Sequence, residues 1–313
     1  MRGVRREMSA RLSAPIVPGG RADLLKAQVQ SEFAQDCLST PVGESRRRAF
    51  YVTSARVRAT AETLTDHDRQ VLGLLSTVML ASGRQIREVV WGEGSSAARS
   101  ARRQLAGLVS KRVVARQCIR IGGVRSGSEG YAYSLDVTGQ YLTENVNRRR
   151  RPRQIGALTI RHALAVTDCY LEVCRLESQG AVELVGFSSE PECWRSFNGP
   201  GGARLTLKPD AYLVTGSGEF LDHWFIEVDR ATESIGRIAT KAEGYVRYER
   251  SGREQEREGV FPRVLWVVPD DERKDEITSV LSRLPATAWQ IFQVSTCAGF
   301  AATIAAGAGE GAS

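Results

Sequence analysis

The apolar positions between residues 63 and 144 recur first at helical spacing and then in alternation. The helical spacing predicts a helix that begins after Thr65, a second that begins near Ser82, and a third over residues 97–114. A predicted strand over residues 113–121, the glycine-rich segment GGVRSGSEG and the predicted strand YAYSLDV follow. Three helices and a β-hairpin in this order predict a winged helix-turn-helix, whose third helix enters the major groove of DNA.

Residues 158–296 alternate between helical and strand patterns. In chain order, the predicted elements are a helix over 160–176, strands over 182–187, 203–214 and 220–229, a helix over 233–249, the strand RVLWVV, an acidic helix and the strand WQIFQV. Strands separated by helices predict an α/β domain with a mixed β-sheet flanked by helices. The charged run GREQEREG before Phe261 is expected to be a solvated loop.

These patterns divide the chain into five predicted parts. They are a basic, partly disordered arm (1–61), the winged helix (62–147), an arginine-rich linker (148–157), the α/β domain (158–296) and a flexible Ala/Gly tail (297–313). No run approaches the roughly 20 apolar residues of a membrane helix, and the N-terminus lacks the apolar core of a signal peptide. We therefore expect a cytoplasmic protein with no membrane partner. The six cysteines form no CxxC pair, which argues against a zinc finger.

The charge is distributed unevenly along the chain. Residues 1–157 carry a net charge of +14 and residues 158–313 a net charge of −7. A strongly basic half favours a polyanion such as DNA, because neutralising phosphates releases counterions. The candidate DNA-binding residues lie on the third helix, on the wing and in the linker: Arg99, Arg102, Arg103, Arg120, Arg125, Arg148, Arg149, Arg150 and Arg151.

Acidic residues on two neighbouring predicted strands form the candidate catalytic site. Asp210 lies 16 intervening residues before Glu227, and Asp229 follows Glu227 at the alternation that places both side chains on one face of a strand. Clustered carboxylates repel one another unless a cation lies between them, and Mg²⁺ or Mn²⁺ prefers such oxygen ligands. Glu190, which follows another predicted strand, is a candidate third metal ligand.

The motifs Pro209–Asp210 and Glu227–Val228–Asp229 resemble those of the PD-(D/E)XK nuclease fold. This resemblance implies a restriction-endonuclease-like domain that hydrolyses a phosphodiester bond with Mg²⁺ or Mn²⁺. Asp229 stands where the lysine of that motif usually stands, and Lys241 on the next predicted helix is placed to substitute for it. The implied catalytic residues are Asp210, Glu227, Asp229 and Lys241.

The winged-helix segment is followed by the runs RHALAVTDCYLEV, KPDAYLV, IEVDRATES, KAEGYVRY and FPRVLWVV. With these runs the chain resembles, from about residue 64 to residue 296, the replication-relaxation family of plasmids and other mobile elements. The resemblance implies binding to double-stranded DNA at an origin or transfer site. It also implies a role in replication, relaxation or mobilisation, with nicking as a candidate reaction, a homodimer and contacts with other replication or mobilisation proteins.

Two alternatives stay open at this level. The nuclease-like domain is either active or a catalytically inert module that mediates dimerisation or protein contacts in a replication or transcription regulator. A salt bridge from Arg230 or Lys241 into the space between Asp210 and Glu227 would favour the inert module, whereas a close cluster of these acids around Mn²⁺ would favour the enzyme. A tyrosine nucleophile at Tyr245 or Tyr248 is the less favoured alternative chemistry, since the sequence lacks the histidine-rich metal motif that accompanies it. His162 is expected to be a packed histidine rather than a base.

Overall fold

Three stretches of the chain carry the architecture: the computed structural model describes residues 52–120, 131–143 and 155–307. The helices are α1 (Ser54–Glu62), α2 (Asp66–Thr77), α3 (Gly83–Val90), α4 (Ser95–Ser110), α5 (Val137–Leu142), α6 (Ala157–Ser178), α7 (Ile235–Arg250), α8 (Arg253–Glu258), α9 (Asp271–Leu281), α10 (Ala286–Trp289) and α11 (Phe300–Ala306). The strands are β1 (Ala81–Ser82), β2 (Val114–Arg120), β3 (Tyr131–Leu135), β4 (Glu183–Ser189), β5 (Arg195–Asn198), β6 (Arg204–Leu207), β7 (Ala211–Ser217), β8 (Phe220–Val228), β9 (Arg263–Val268) and β10 (Phe292–Thr296). Among the helices described, none is long and apolar enough to cross a membrane.

The first region is a winged helix-turn-helix. Helix α2 begins at a reciprocal capping box between Thr65 and Asp68, and α3 begins at another between Ser82 and Gln85. Helix α4 begins after Gly94 without a side-chain cap. Strands β2 and β3 are antiparallel and β1 pairs with β3, which gives the sheet order β1-β3-β2. The apolar sides of α2, α3 and α4 pack together over this sheet.

The second region contains a five-stranded mixed sheet. Its strand order is β10-β9-β8-β7-β4, with antiparallel pairing from β4 through β7 to β8 and parallel pairing from β8 through β9 to β10. Helices α7 and α9 pack on the face that carries Phe225 and Trp266, and helices α6 and α11 pack on the face that carries Trp224 and Leu265. The predicted fold class, a winged helix followed by a helix-flanked mixed sheet, is confirmed.

Helix α6 belongs to both regions. Its residues Tyr170 and Leu171 lie in the core of the winged helix, whereas Val166 and Val173 pack on the sheet. The Gln85 side-chain amide of α3 donates hydrogen bonds to the Leu164 carbonyl at 3.0 Å and to the Asp168 carboxylate at 2.7 Å, both on α6. The two regions therefore share a continuous helix instead of meeting only through a linker.

Several elements differ from the sequence-based expectations, among them α1, which lies within the segment assigned to the basic arm. The run GREQEREG is not a loop but contains α8, because Gly252 and Gly259 in left-handed conformations bound a helix whose Glu254 is buried. The strand expected over 203–214 is two strands, β6 and β7, separated at Pro209, which has no N–H to donate to a ladder.

The segment expected to be a flexible tail is also partly ordered. Residues 300–306 form α11, and its Phe300 and Ile304, one helical turn apart, are buried against α6 and the sheet. An Ala/Gly-rich composition hides this helix, because two apolar residues at the right spacing are enough to hold a short helix on an existing core. Residues 308–313 of the expected tail lie outside the described residues.

Candidate functional site

The start of β7 and the end of β8 place two carboxylates side by side. Ala211 pairs with Ile226 in the antiparallel ladder, so that Asp210 lies beside Glu227 and Val228. The Asp210 backbone N–H donates to the Ile226 carbonyl at 3.1 Å, and the Val228 N–H donates to Asp210 Oδ2 at 2.7 Å. The Asp210 carboxylate is therefore oriented by the backbone of the neighbouring strand.

Helix α7 brings a cation to this pair. Lys241 Nζ contacts Glu227 Oε2 directly and lies 3.8 Å from Asp210 Oδ1. One turn further along the same helix, the Tyr245 hydroxyl donates to Glu227 Oε1. The two carboxylates thus converge on one ammonium group, and Tyr245 holds the second oxygen of Glu227.

Two more ionisable groups surround Asp210. His162 Nε2, from the first turns of α6, lies 3.2 Å from Asp210 Oδ1. Glu190 follows β4, and its backbone N–H donates to the Asp210 carbonyl at 3.2 Å. We define the site pocket as His162, Glu190, Asp210, Glu227 and Lys241.

The protonation equilibria in the site pocket are set by burial and by the shared charges. Burial raises the pKa of Glu227 to about 8 in spite of Lys241, and the charge of Asp210 adds to that increase. Burial also opposes ionisation of Asp210, but Lys241 and His162 outweigh it and lower the pKa of Asp210. The hydrogen bond to Asp210 raises the pKa of His162, and burial raises the pKa of Glu190. Of the three carboxylates in the pocket, Asp210 is therefore favoured in its ionised form, whereas burial opposes the ionisation of Glu190 and Glu227.

The side chains of the site pocket differ in their exposure to solvent. The side chain of Glu227 is 0% exposed, whereas those of Lys241 and His162 are 28% and 30% exposed. A ligand that enters the pocket therefore meets Lys241, His162 and the edge of Asp210 before it reaches Glu227.

Asp229, which the sequence places in the catalytic set, has a different partner. Arg273 of α9 donates to both of its carboxylate oxygens, at 2.6 Å and 3.4 Å, and the Ala231 N–H donates to it at 3.0 Å. The same guanidinium donates to the Glu233 carbonyl at 2.7 Å. Asp229 thus fastens the turn between β8 and α7 to α9, and the structure does not bring it together with Asp210, Glu227 and Lys241.

The two tyrosines considered as nucleophiles are occupied and buried. Tyr245 donates to Glu227, and Tyr248 donates to Glu254 of α8. Both rings lie in the core between α7 and the sheet. Neither hydroxyl is presented to a DNA strand in this conformation.

The carboxylates of the site pocket fit a metal ion only in part. Across the described stretches of the chain, no group of three or more His, Cys, Asp and Glu side chains is arranged to hold a metal ion. Mg²⁺ in phosphoryl-transfer sites nevertheless is commonly bound by one or two carboxylates, with water and substrate phosphate completing its shell. Asp210 and Glu227 supply that smaller set, and both already converge on a positive group. The donor set fits such an ion if Lys241 moves aside.

The candidate DNA-binding face lies on α4. Arg99, Arg102 and Arg103 are exposed, whereas Ala101, Leu105 and Leu108 on the opposite side of the helix are buried. Helix α4 contains no Asp or Glu, and a shallow depression of about 360 Å³ is lined by Arg99, Arg103 and two serines, Ser96 and Ser100. Helix α4 therefore presents an uninterrupted basic and hydroxyl-bearing surface in the position of a recognition helix.

The other predicted DNA-binding arginines have no side chain in the part of the chain that the structure describes. The side chain of Arg120 and the whole of Arg125, Arg148, Arg149, Arg150 and Arg151 lie outside the described residues.

Sequence reasoning missed two charged residues that shape the site. Arg273 is the partner of Asp229, and Glu254, in a run with the pattern of a solvated loop, forms a buried ion pair with Arg195 at 3.1 Å. Their partners lie 44 and 59 residues away, so no local pattern could have indicated either pair.

Comparisons with known proteins give one family match and one weak structural likeness. A family model described as replication-relaxation matches residues 72–264. No curated protein matches the chain. Among solved structures, the restriction endonuclease FokI bound to DNA is similar at 12% sequence identity with a TM-score of 0.22, a likeness too low to carry an argument. The alignment covers 77% of this chain and 45% of the FokI chain, so this chain spans less than half of that protein.

Proposed function

The chain belongs to the replication-relaxation family, whose model matches more than half of its length, and from this membership we propose that it binds and nicks the DNA of a plasmid or other mobile element. In this proposal the winged helix holds double-stranded DNA at an origin or transfer site. The site pocket then hydrolyses a phosphodiester bond of one strand. The observation that carries the proposal is the convergence of Asp210, Glu227 and Lys241 on one point.

The order of strands supports a PD-(D/E)XK assignment. Helix α6, the antiparallel strands β4, β7 and β8, helix α7 and the parallel strand β9 occur in this order, with the β5–β6 hairpin and α8 inserted between them. The four strands are neighbours in the sheet in the order β9-β8-β7-β4. Asp210 stands at the start of the second of these strands and Glu227 stands near the end of the third. The two acids are the elements that the motif resemblance implies, and Lys241 reaches them from the next helix instead of from the strand.

The residues of the pocket divide the chemical work among them. Asp210 and Glu227 would hold Mg²⁺ or Mn²⁺, which supplies positive charge against the phosphate during hydrolysis. Lys241, freed from its bridging position, would hold the attacking water or a phosphate oxygen at the pocket mouth. Tyr245 keeps Glu227 in place, and His162 together with the Val228 N–H keeps Asp210 in place. Of the two residues considered for the lysine position of the motif, we assign the catalytic role to Lys241, because Asp229 is paired with Arg273.

DNA binding rests on the surface of α4. Its arginines would contact phosphates and base edges in the major groove. The helix carries no Asp or Glu that would repel the DNA phosphates. The net charge of −7 over residues 158–313 would repel DNA unless cations offset it locally. We therefore propose that the basic first region and a metal ion in the site pocket together hold the DNA. We also propose that the protein is a homodimer that binds a symmetric DNA site.

A second candidate function is favoured by the position of Lys241. Its ammonium already occupies the position between the two carboxylates, as in a former active site that has become a structural salt bridge. In that case the protein is a DNA-binding regulator whose sheet region serves dimerisation or contacts with other replication or mobilisation proteins.

A nicking assay separates the two functions. Supercoiled plasmid carrying the element's own origin is incubated with the full chain and Mn²⁺ or Mg²⁺, beside Asp210→Asn and Glu227→Gln. Asp210→Asn retains an oxygen acceptor for the Val228 N–H, and Glu272→Gln, an exposed acid on α9, is the matched control. Open-circle product from the wild type and Glu272→Gln, but from neither pocket variant, supports the nuclease.

Intact plasmid with every variant, together with a salt-sensitive gel shift that Arg99→Gln, Arg102→Gln and Arg103→Gln abolish, would contradict nicking and favour the regulator. Binding that survives the loss of these three arginines would contradict the role of α4.

A further inference from the structure

The segment between β4 and β7 begins and ends at the site pocket. Residues 190–210 leave the sheet after β4, form the two-stranded hairpin β5–β6, and return at Asp210 to start β7. The hydrogen bond from the Glu190 N–H to the Asp210 carbonyl, at 3.2 Å, closes the base of this excursion. The base of the hairpin segment therefore lies at the site pocket, beside Asp210.

One face of the hairpin is fixed to the core. Phe197 and Leu207 are buried in the cluster that includes α7. Arg195 is buried as well, where it pairs with Glu254 and lies over the ring of Tyr212 at 4.7 Å. Since these residues alternate with the outward ones, the opposite face is held in a defined orientation toward solvent.

The outward face carries polar and basic side chains, with the half-buried ring of Trp194 at its base. Ser196 pairs across the ladder with Thr206, and Asn198 pairs with Arg204. Lys208 continues the alternation below Thr206, with its Nζ 4.8 Å from the ring centroid of Trp194. Ser196, Asn198, Arg204 and Lys208 are all exposed. This ladder of hydroxyl, amide, guanidinium and ammonium groups is the donor set that proteins use on phosphates.

The charge of the hairpin contrasts with that of its region. Residues 193–209 contain three basic residues and no Asp or Glu, within a half of the chain that carries a net charge of −7. Arg195 is neutralised by Glu254, but neither Arg204 nor Lys208 forms an ion pair with any described residue. Arg204 and Lys208 are thus two exposed cations on the hairpin segment, and Lys208 lies close enough to the pocket to act on the charge of Glu190.

The turn of the hairpin also allows close approach. Gly201 and Gly202 have φ of +71° and +80°, and a Cβ at either position would meet no atom within 4 Å. A glycine turn without side chains in open space lets a bulky chain come within hydrogen-bond distance of the backbone.

We propose that the outward face of the β5–β6 hairpin binds the phosphodiester backbone of DNA and guides the strand into the site pocket. This inference rests on the proposed function and adds a second DNA-contacting surface to α4. Arg204 and Lys208 contact successive phosphates, and Ser196, Asn198 and Thr206 donate hydrogen bonds between them. The contacts are to the backbone, so the surface contributes affinity and register without reading the base sequence.

The test is the salt dependence of DNA binding by the full chain. Dissociation constants for an origin duplex are measured from 0.05 to 0.5 M salt for the wild type, Arg204→Gln/Lys208→Gln and Arg283→Gln. Arg283 is an exposed cation of the same region that lies outside the hairpin, and it serves as the matched control. Circular dichroism and the melting temperature verify that all three proteins are folded.

Each lost phosphate contact lowers the slope of log K against log salt by about 0.9, and it weakens binding about tenfold at 0.1 M salt. We expect a slope lowered by about two units in the double variant and no change in Arg283→Gln. Equal slopes and affinities in all three proteins, or an equal loss in Arg283→Gln, would overturn the hairpin surface. Absence of DNA binding by the wild type would overturn it as well.

The nicking assay run in parallel keeps this inference distinct from the proposed function. In one outcome, Asp210→Asn abolishes nicking and the hairpin variant nicks as the wild type does at every DNA concentration. This result would support the nuclease and overturn the guiding surface. A lowered salt slope without any nicking by the wild type means that the surface stands and the nuclease falls. If nicking by the hairpin variant reaches the wild-type rate only at higher DNA concentration, both stand.

Discussion

The buried ion pair between Arg195 and Glu254 gives a sharp test of how the hairpin is anchored. Glu254 is 0% exposed, accepts from the Arg195 guanidinium at 3.1 Å and 3.2 Å, and accepts from the Tyr248 hydroxyl. The substitution Glu254→Ala leaves a buried guanidinium without a counter-charge and a buried hydroxyl without an acceptor. Two residues further along α8, Glu256 forms the exposed pair with Arg253 and is 67% exposed, so Glu256→Ala is the matched control.

The expected magnitude follows from this difference in burial. Breaking a buried ion pair by removing one partner costs about 3–5 kcal/mol, whereas an exposed pair contributes at most about 1 kcal/mol. The bond from Arg195 Nη1 to the Cys193 carbonyl and the contact with the Tyr212 ring are retained, and they place Glu254→Ala near the lower end of that range. We expect a loss of about 3 kcal/mol for Glu254→Ala and less than about 0.5 kcal/mol for Glu256→Ala.

Urea unfolding followed by tryptophan fluorescence measures both losses. Four of the five tryptophans, at positions 194, 224, 266 and 289, lie in the sheet region, so the signal reports on the domain that contains the pair. Losses for the two variants that agree within about 1 kcal/mol would refute the buried pair as an anchor, because exposed pairs contribute no more than this.

Two further predictions concern the site pocket and the winged helix. Mn²⁺ must displace the proton that Glu227 holds below its pKa of about 8. The affinity for Mn²⁺, measured by calorimetry, should therefore rise up to about tenfold per pH unit toward pH 8 and then become constant. An affinity that does not change with pH in the wild type, or the same rise in Glu227→Gln, would contradict this prediction. Gly139→Ala should destabilise the winged helix by about 3 kcal/mol, because a Cβ would lie 2.1 Å from the Val113 carbonyl oxygen. Gly107→Ala, with open space around it in α4, should be neutral or stabilise by up to about 1 kcal/mol; equal melting temperatures for the two glycine variants would disprove the close contact.

The parts of the fold that could be predicted are those set by local spacing. Thr65 and Ser82 precede apolar residues at helical intervals, and both cap helices in the structure. The neighbourhood of Asp210 and Glu227 was also predictable, since two strands joined by a short turn must pair and bring their far ends together.

The parts that could not be predicted depend on partners distant in sequence. Alternation places Asp229 on the same face as Glu227, yet a residue beyond the strand end is free to turn, and Arg273 determines its direction. Glu254 lies in a run of charges that looks solvated, and only the fold brings Arg195 to it. Local patterns fix which face a side chain occupies within a strand, whereas ion pairing between distant elements decides what happens at strand ends and in charged segments.

The most direct test of the central claim is a crystal structure of the full chain soaked in Mn²⁺ at pH 8, with anomalous diffraction recorded to locate the ion. The nuclease account predicts an anomalous peak bonded to Asp210 and Glu227, with the Lys241 ammonium displaced from between them. Asp210→Asn crystals should lack that peak. A structure in which Lys241 still bridges the two carboxylates, with no Mn²⁺ beside them at saturating concentration, would contradict the account and identify the pocket as a structural salt bridge.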